Sequence, residues 1–232
     1  MSFAARVQLR VRQSVKTRGL WRTLLRTISA PYYLPREYLR WRSSFDAKFG
    51  VDTENRVIGG GGLQPVRPEL FRKVLENLPI RHEDFTFVDL GSGKGRALLL
   101  ASEYPFREIV GIELRPQLHK VAQRNVLRYR AATQKCSSFR LIEADFTTCA
   151  LPPGNVLIYL FNPCHETEMR KLVANIKERV VVEPREAYIL YVYPELRHLI
   201  DEAQFTRAVG GSDKWLSYRC TDSRQSPGPL AA

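Results

Sequence analysis

The stretch Phe87-Val88-Asp89-Leu90-Gly91-Ser92-Gly93-Lys94-Gly95-Arg96, followed by the apolar run Ala97 to Ala101, constrains this chain more than any other. It reads as a buried strand, a glycine turn and a helix. The glycines let the backbone come within contact distance of a ligand, and the helix that follows aims its free N–H groups at that ligand. The reading is a small-molecule cofactor site. The spacing argues against two phosphate-binding loops. A dinucleotide fingerprint needs Gly-x-Gly-x-x-Gly, but Arg96 stands where the third glycine belongs and Gly95 comes one place early. A P-loop needs Gly-Lys-Ser/Thr, whereas Lys94 is followed by Gly95.

What remains is Asp-x-Gly-x-Gly-x-Gly, and it has companions. After Glu108-Ile109-Val110-Gly111-Ile112, a strand by its apolar and β-branched content, comes Glu113, 22 residues beyond Gly91. An acid at the tip of a second strand can accept both hydroxyls of a ribose, and about 20 residues is the spacing a βαβ unit gives. A third strand, Phe139-Arg140-Leu141-Ile142-Glu143, leads to Ala144-Asp145-Phe146. The set resembles the cofactor motifs of the class I S-adenosylmethionine-dependent methyltransferases over about residues 63 to 220. That resemblance implies S-adenosylmethionine as the cofactor, with Asp89, Gly91, Ser92, Gly93 and Gly95 around its amino-acid end and Glu113 on the ribose. It also implies Asp145 on the adenine amino group and Phe146 against the ring. An acid at Asp89 suits a ligand carrying an ammonium and a sulfonium rather than a pyrophosphate. Each acid taken singly could equally be a strand-end or helix-capping carboxylate.

The rest of the chain alternates in the same way. Strand Phe85–Leu90, helix Gly95–Glu103, strand Glu108–Leu114, helix Pro116–Arg130, strand Phe139–Asp145, strand Val156–Phe161, helix Glu166–Arg179 and strand Ala187–Tyr193 form repeated βα units. Apolar strands in such units mean a parallel sheet covered on both faces. A helix starts near Pro68 and runs over Glu69–Leu78. A short helix is expected over Glu195–Ala203. Phe205 to Val209 and Trp215 to Arg219 flank Gly210-Gly211-Ser212-Asp213, which is a hairpin signal. The expected class is α/β: a seven-stranded Rossmann-like methyltransferase sheet with a C-terminal antiparallel hairpin, plus a basic helical N-terminal extension. The domain reading is 1–62 for the extension and hinge, 63–222 for the cofactor-binding domain, and 223–232 for a disordered tail.

Charge separates the extension from the rest. Ten Lys/Arg stand against Glu37 alone in residues 1–42, so nine of the chain's twelve net positive charges lie there. Val7, Val11 and Val15, then Leu20, Leu24 and Ile28, repeat at helical spacing, with Arg18, Arg22 and Arg26 on another face. Such a helix can lie on an anionic membrane surface, grip nucleic acid, dock an acidic protein or act as a transit peptide. Tyr32, Tyr33, Tyr38, Trp41, Phe45 and Phe49 interleave with Arg36, Arg40 and Arg42, either to stack on single-stranded nucleic acid or to pack as a helical stripe. Gly59-Gly60-Gly61-Gly62 is a hinge, a lid or a passive linker. No apolar run, Val156 to Phe161 included, approaches the roughly 20 residues a membrane span needs. Cys136, Cys149, Cys164 and Cys220 form no C-x-x-C pair and lack histidines at ligand spacing, so no metal is expected and the thiols read as reduced and buried. The expected location is cytoplasmic, or mitochondrial if residues 1–30 are a transit peptide.

Chemistry belongs at the carboxyl end of the fourth strand, where ligands of open α/β sheets bind. There the chain reads Tyr159-Leu160-Phe161-Asn162-Pro163-Cys164. It resembles a shortened Asn/Asp-Pro-Pro-Tyr/Phe motif of methyltransferases acting on amino nitrogen, with Cys164-His165 in place of Pro-Tyr/Phe. The resemblance implies that Asn162 positions a target nitrogen; the plainer alternative is a turn after a strand. His165 as a base and Cys164 as a nucleophile lack a partner visible in the sequence. Asp-Leu-Gly-Ser-Gly-x-Gly-Arg also resembles the non-SET protein lysine methyltransferases, which implies a protein lysine as acceptor. An RNA methyltransferase gripping RNA with the basic arm, and a non-catalytic binding protein with this fold, are the alternatives. Lys94 or Arg96, cations in a helix's first turn, is expected to pair with the cofactor carboxylate or with Asp89.

Overall fold

Each apolar run of the alternating pattern becomes a strand, buried in every case but Phe139–Glu143, in the computed structural model, which describes residues 45–54, 65–182 and 186–221. The basic amphipathic pattern of residues 1–42, Gly59–Gly62 and the tail from Ser223 lie outside the described residues. The chain divides into two units, Met1–Lys48 and Phe49–Ala232. Residues 45–48 are the described part of the first, and they are helical. The second unit carries all that follows.

Its elements are α1 (Pro68–Glu76), a 3-10 turn (His82–Asp84), β1 (Thr86–Leu90), α2 (Arg96–Ala101), β2 (Glu108–Glu113) and α3 (Pro116–Arg128). Then come β3 (Phe139–Glu143), β4 (Val156–Phe161), α4 (Glu166–Val182), β5 (Ala187–Val192), α5 (Arg197–Asp201), β6 (Thr206–Gly211) and β7 (Trp215–Cys220). The seven strands form one sheet in the order β3-β2-β1-β4-β5-β7-β6. The first five are parallel, and β7 enters antiparallel beside β5. The sheet reverses its winding between β1 and β4, the place where an open α/β sheet leaves a crevice at its carboxyl edge.

Side-chain alternation on the central strands fills both faces. Val88, Leu90, Val110, Ile112, Ile158, Leu160 and Ile189 pack with Met169, Leu172 and Ile176 of α4 and Leu199 and Ile200 of α5. On the opposite face α1 inserts Phe71 against Phe87 and Tyr159, with ring centroids 5.9 and 5.5 Å apart. A fully buried apolar side chain of this size stabilises by about 1.5–3 kcal/mol, so α1 is fixed by Phe71, Val74 and Leu75. Pro68 at its first turn sets the entry without losing a hydrogen bond.

Two expectations shift. Gly210 and Gly211 belong to β6 instead of the turn, with a register irregularity between Ala208 and Gly210. β6 is an outer strand with its side chains mostly in water, where a bulge is tolerated and blunts the open edge. α4 also runs past Arg179, to Val182.

Candidate active site

β1 delivers Asp89 to the crevice and the glycine turn follows, with φ of +83° at Gly91, +56° at Gly93 and +85° at Gly95. Gly91 also marks a meeting point. A Cβ there would stand 3.4 Å from Pro163 Cβ and 3.8 Å from Phe146 Cε1, so the glycine turn, the end of β4 and the loop after β3 meet at this point. Three separate stretches of the sequence are thereby brought together: Asp89–Gly95, Asp145-Phe146 and Asn162-Pro163.

The turn's amides do not wait for an anion. Gly91 and Ser92 donate to the Ile112 carbonyl at 2.9 and 3.0 Å, and Gly95 donates to the Ser92 carbonyl at 2.8 Å. Gly93 donates to Glu113 Oε2 at 2.8 Å. The donors of the turn itself are thus spent within the fold. α2 is only six residues long, and the turn is closed against β2 by its own amides. A turn that offers surface but few donors suits a cationic or neutral ligand better than a phosphate.

Glu113 is buried, and its Oε1 accepts from the Arg115 backbone N–H at 2.9 Å and from Arg115 Nε at 3.2 Å. Two carboxylate oxygens offer about four acceptor positions, so after these bonds and that from Gly93 roughly one position is left. Accepting both ribose hydroxyls requires the exposed Arg115 side chain to swing aside. Asp89, 4% exposed, is pushed up to about 8 by burial and then by the nearby Glu113 charge. Asp145 is exposed; its Oδ1 accepts from the Thr147 N–H at 2.8 Å and hydroxyl at 2.7 Å, which lower its pKa. Those bonds hold the side chain fixed and leave Oδ2 for another donor.

Asn162 ends β4 in the left-handed region, φ +44°, and is exposed. Asparagine tolerates that conformation better than other non-glycine residues, and such strain is concentrated where a side chain must be aimed. The neighbouring strand ends the same way, in Tyr193 at φ +50°. Tyr193 meets Phe161 edge to face at 5.5 Å. The Cys164 thiol is pushed up to about 11 by burial, then by Glu168 and Asp145, so it carries almost no thiolate and is no nucleophile. His165 is exposed, with no cluster around it.

Lys94 and Arg96 do not reach Asp89. Lys94 Nζ donates to Asp52 Oδ1 at 2.8 Å and to the Glu54 carbonyl at 2.5 Å, and Arg96 Nε donates to the Thr53 hydroxyl. Asn125, buried in α3, donates to the Asp52 carbonyl at 2.7 Å and the Lys94 carbonyl at 2.8 Å, and accepts from the Asp52 N–H at 2.9 Å. The two cations thus strap residues 52–54 to the glycine turn. Sequence reasoning missed this strap because its partners lie 40 or more residues upstream. The available signal was a polar residue, Asn125, on the buried stripe of His119 and Ala122.

No described helix is long and apolar enough to cross a membrane, and among the described residues no three potential metal ligands cluster. All four cysteines are free, Cys136 and Cys220 buried, Cys149 and Cys164 only half-buried.

Residues 64–182 match the protein family described as histone methylation protein DOT1. No curated protein matches the chain in a sequence comparison. Among solved structures, precorrin-6Y C5,15-methyltransferase from Geobacter metallireducens is similar with a TM-score of 0.50 at 16% identity, over 75% of this chain and 94% of that one. A predicted N6-adenine-specific DNA methylase from Listeria monocytogenes gives 0.51 at 12% identity, over 69% of this chain and 52% of that one. The glycopeptide N-methyltransferase MtfA complexed with sinefungin gives 0.50 at 12% identity, over 78% and 96%. At these identities the likeness is one of fold.

Proposed function

The chain belongs to the DOT1 histone methylation family and is a class I S-adenosylmethionine-dependent methyltransferase, and from that premise we propose that its acceptor is an amino nitrogen on a protein, a lysine side chain. The observation that carries the proposal is Asn162, held at φ +44° at the carboxyl end of β4, with Pro163 against Gly91. The family's description, histone methylation, supports a protein acceptor.

The crevice fits the cofactor on its own terms. Gly91 leaves the room a Cβ would fill, Asp89 is a buried carboxyl beside it, and Glu113 stands at the tip of β2. S-adenosylmethionine supplies a methyl group made electrophilic by its sulfonium. Asp89 would meet the ammonium, Glu113 would accept from the ribose, Asp145 Oδ2 would accept from the adenine amino group, and Phe146 would cover the ring. Asn162 Oδ1 would accept an N–H of the neutral target amine and so orient its lone pair for transfer. Alignment of this kind is most of what an in-line displacement needs from the protein, once the ammonium of the target has lost its proton.

The test separates backbone from side chain. Asn162→Gly keeps the left-handed turn and removes the amide. With methyl-labelled S-adenosylmethionine and a cell extract divided into protein and RNA fractions, wild type is expected to label protein, with methyl-lysine released on hydrolysis. Asn162→Gly should label it roughly a hundredfold more slowly, the scale of a lost positioning contact, while binding S-adenosylhomocysteine as wild type does. Label confined to the RNA fraction would refute the lysine acceptor.

A further inference from the structure

Four tyrosines among the described residues are less than 2% exposed: Tyr129, Tyr159, Tyr191 and Tyr218. Three of their hydroxyls have partners. Tyr129 donates to Glu103 Oε1 at 3.4 Å, Tyr218 donates to Asp201 Oδ1 at 2.9 Å, and Tyr191 accepts from the Leu196 N–H at 3.3 Å. The Tyr159 hydroxyl is buried and has none. A buried hydroxyl without a partner destabilises a fold, and phenylalanine would fill the ring's place without that penalty, as Phe71 and Phe87 do on either side of it. The tyrosine is therefore unexplained by packing.

Its position supplies the explanation. Tyr159 is the register partner of Asp89 across β1 and β4, and both side chains leave the sheet on the same face. Asn162 is three residues further along the same strand end. Burial first, then the charge of Asp89, then Tyr193, hold the phenol well above its usual range, so it stays a neutral hydroxyl able to donate and accept together.

We propose that Tyr159 is a cofactor-contacting residue, whose hydroxyl oxygen accepts a hydrogen bond from the ammonium at the amino-acid end of S-adenosylmethionine while its proton is donated to the Asp89 carboxylate. The inference rests on the cofactor placement above. It adds a group that the glycine turn and the acid do not announce: a tyrosine in the middle of an apolar strand, Val156-Leu157-Ile158-Tyr159-Leu160-Phe161.

Two ligands test it by calorimetric titration. S-adenosylhomocysteine carries the ammonium; 5′-methylthioadenosine has the same adenine, ribose and sulfur without it. Tyr159→Phe keeps the ring and its stack. Losing a hydrogen bond to a charged group weakens binding about ten- to a hundredfold, so S-adenosylhomocysteine affinity should fall on that scale. Methylthioadenosine affinity should stay within about twofold, and the ligand-free variant should melt no lower than wild type, since an unsatisfied hydroxyl has been removed. Combined with Asp89→Asn, the losses should multiply less than fully, because both groups serve one ammonium. Equal loss for both ligands, no loss for either, or full multiplication would each overturn the assignment. If wild type bound neither ligand, the cofactor placement itself would fall; if wild type bound both and Tyr159→Phe matched it, only Tyr159 would.

Discussion

Asp89→Asn is expected to make the ligand-free protein more stable and the cofactor complex weaker, and the pH dependence of that gain identifies its cause. The carboxyl moves from its ordinary 3.8 to about 8 on folding, because it is taken out of water beside Glu113. Between those values the folded protein holds a proton that the unfolded chain has released. Stability therefore falls as pH rises from about 4 to about 8 and is flat with respect to this group above that. At 1.36 kcal/mol per pH unit the deficit reaches on the order of 4 kcal/mol at pH 7, and it deepens by about 3–4 kcal/mol between pH 5 and pH 8. Asparagine has the same shape and does not titrate. At about 2–4 °C per kcal/mol for a chain of this length, the melting temperature of the variant should pull ahead of wild type by roughly 7–14 °C as pH is raised from 5 to 8. Differential scanning fluorimetry at matched ionic strength reads this directly. A difference between the two proteins that stays constant from pH 5 to pH 8 would refute the reasoning, because the carboxyl would then share one pKa in both states. The same variant should bind S-adenosylhomocysteine at least tenfold more weakly, since a neutral amide replaces the charge facing the ammonium.

Glu113→Ala removes the carboxylate that accepts from Gly93 and the one proposed for the ribose, and should weaken S-adenosylhomocysteine binding by about ten- to a hundredfold in calorimetry. Asn125→Ala leaves the Asp52 and Lys94 backbone groups without their shared partner; a loss of about 1–3 kcal/mol by urea denaturation is expected. Its hydrogen exchange should rise at residues 52–54 before it does in β1. Cys164→Ser should leave methyl transfer within about twofold, because a thiol pushed up to about 11 has no part as a nucleophile at neutral pH; loss of transfer would restore it as a candidate.

The sheet was legible wherever burial on both faces writes a strand as an unbroken apolar run, as in β1, β4 and β5. The glycine turn and Glu113 were legible because a βαβ unit fixes their spacing within one stretch of chain. Gly210 and Gly211 misled because glycine marks turns and bulges alike, and only strand pairing distinguishes them. Lys94 and Arg96 misled because the helix-dipole argument is local, whereas their partners, Asp52, Thr53 and the Glu54 carbonyl, come from a distant stretch. Tyr159 was invisible for a different reason. Its sequence neighbours are all apolar, and what singles it out is the register that sets it opposite Asp89.

The strand order carries a consequence for how the chain is made. β5 is complete at Val192, but the strand that hydrogen-bonds to its open side is β7, whose last residue is Cys220. β6, emerging first, cannot seal that side, because it pairs only with β7. At about 5–20 residues per second of synthesis, an apolar parallel strand waits on the order of seconds with one row of backbone groups unpaired. During that interval the nascent protein presents the kind of edge on which other chains add. The last hairpin is thus the step that covers the apolar β5 and leaves the irregular, mostly exposed β6 as the edge on that side.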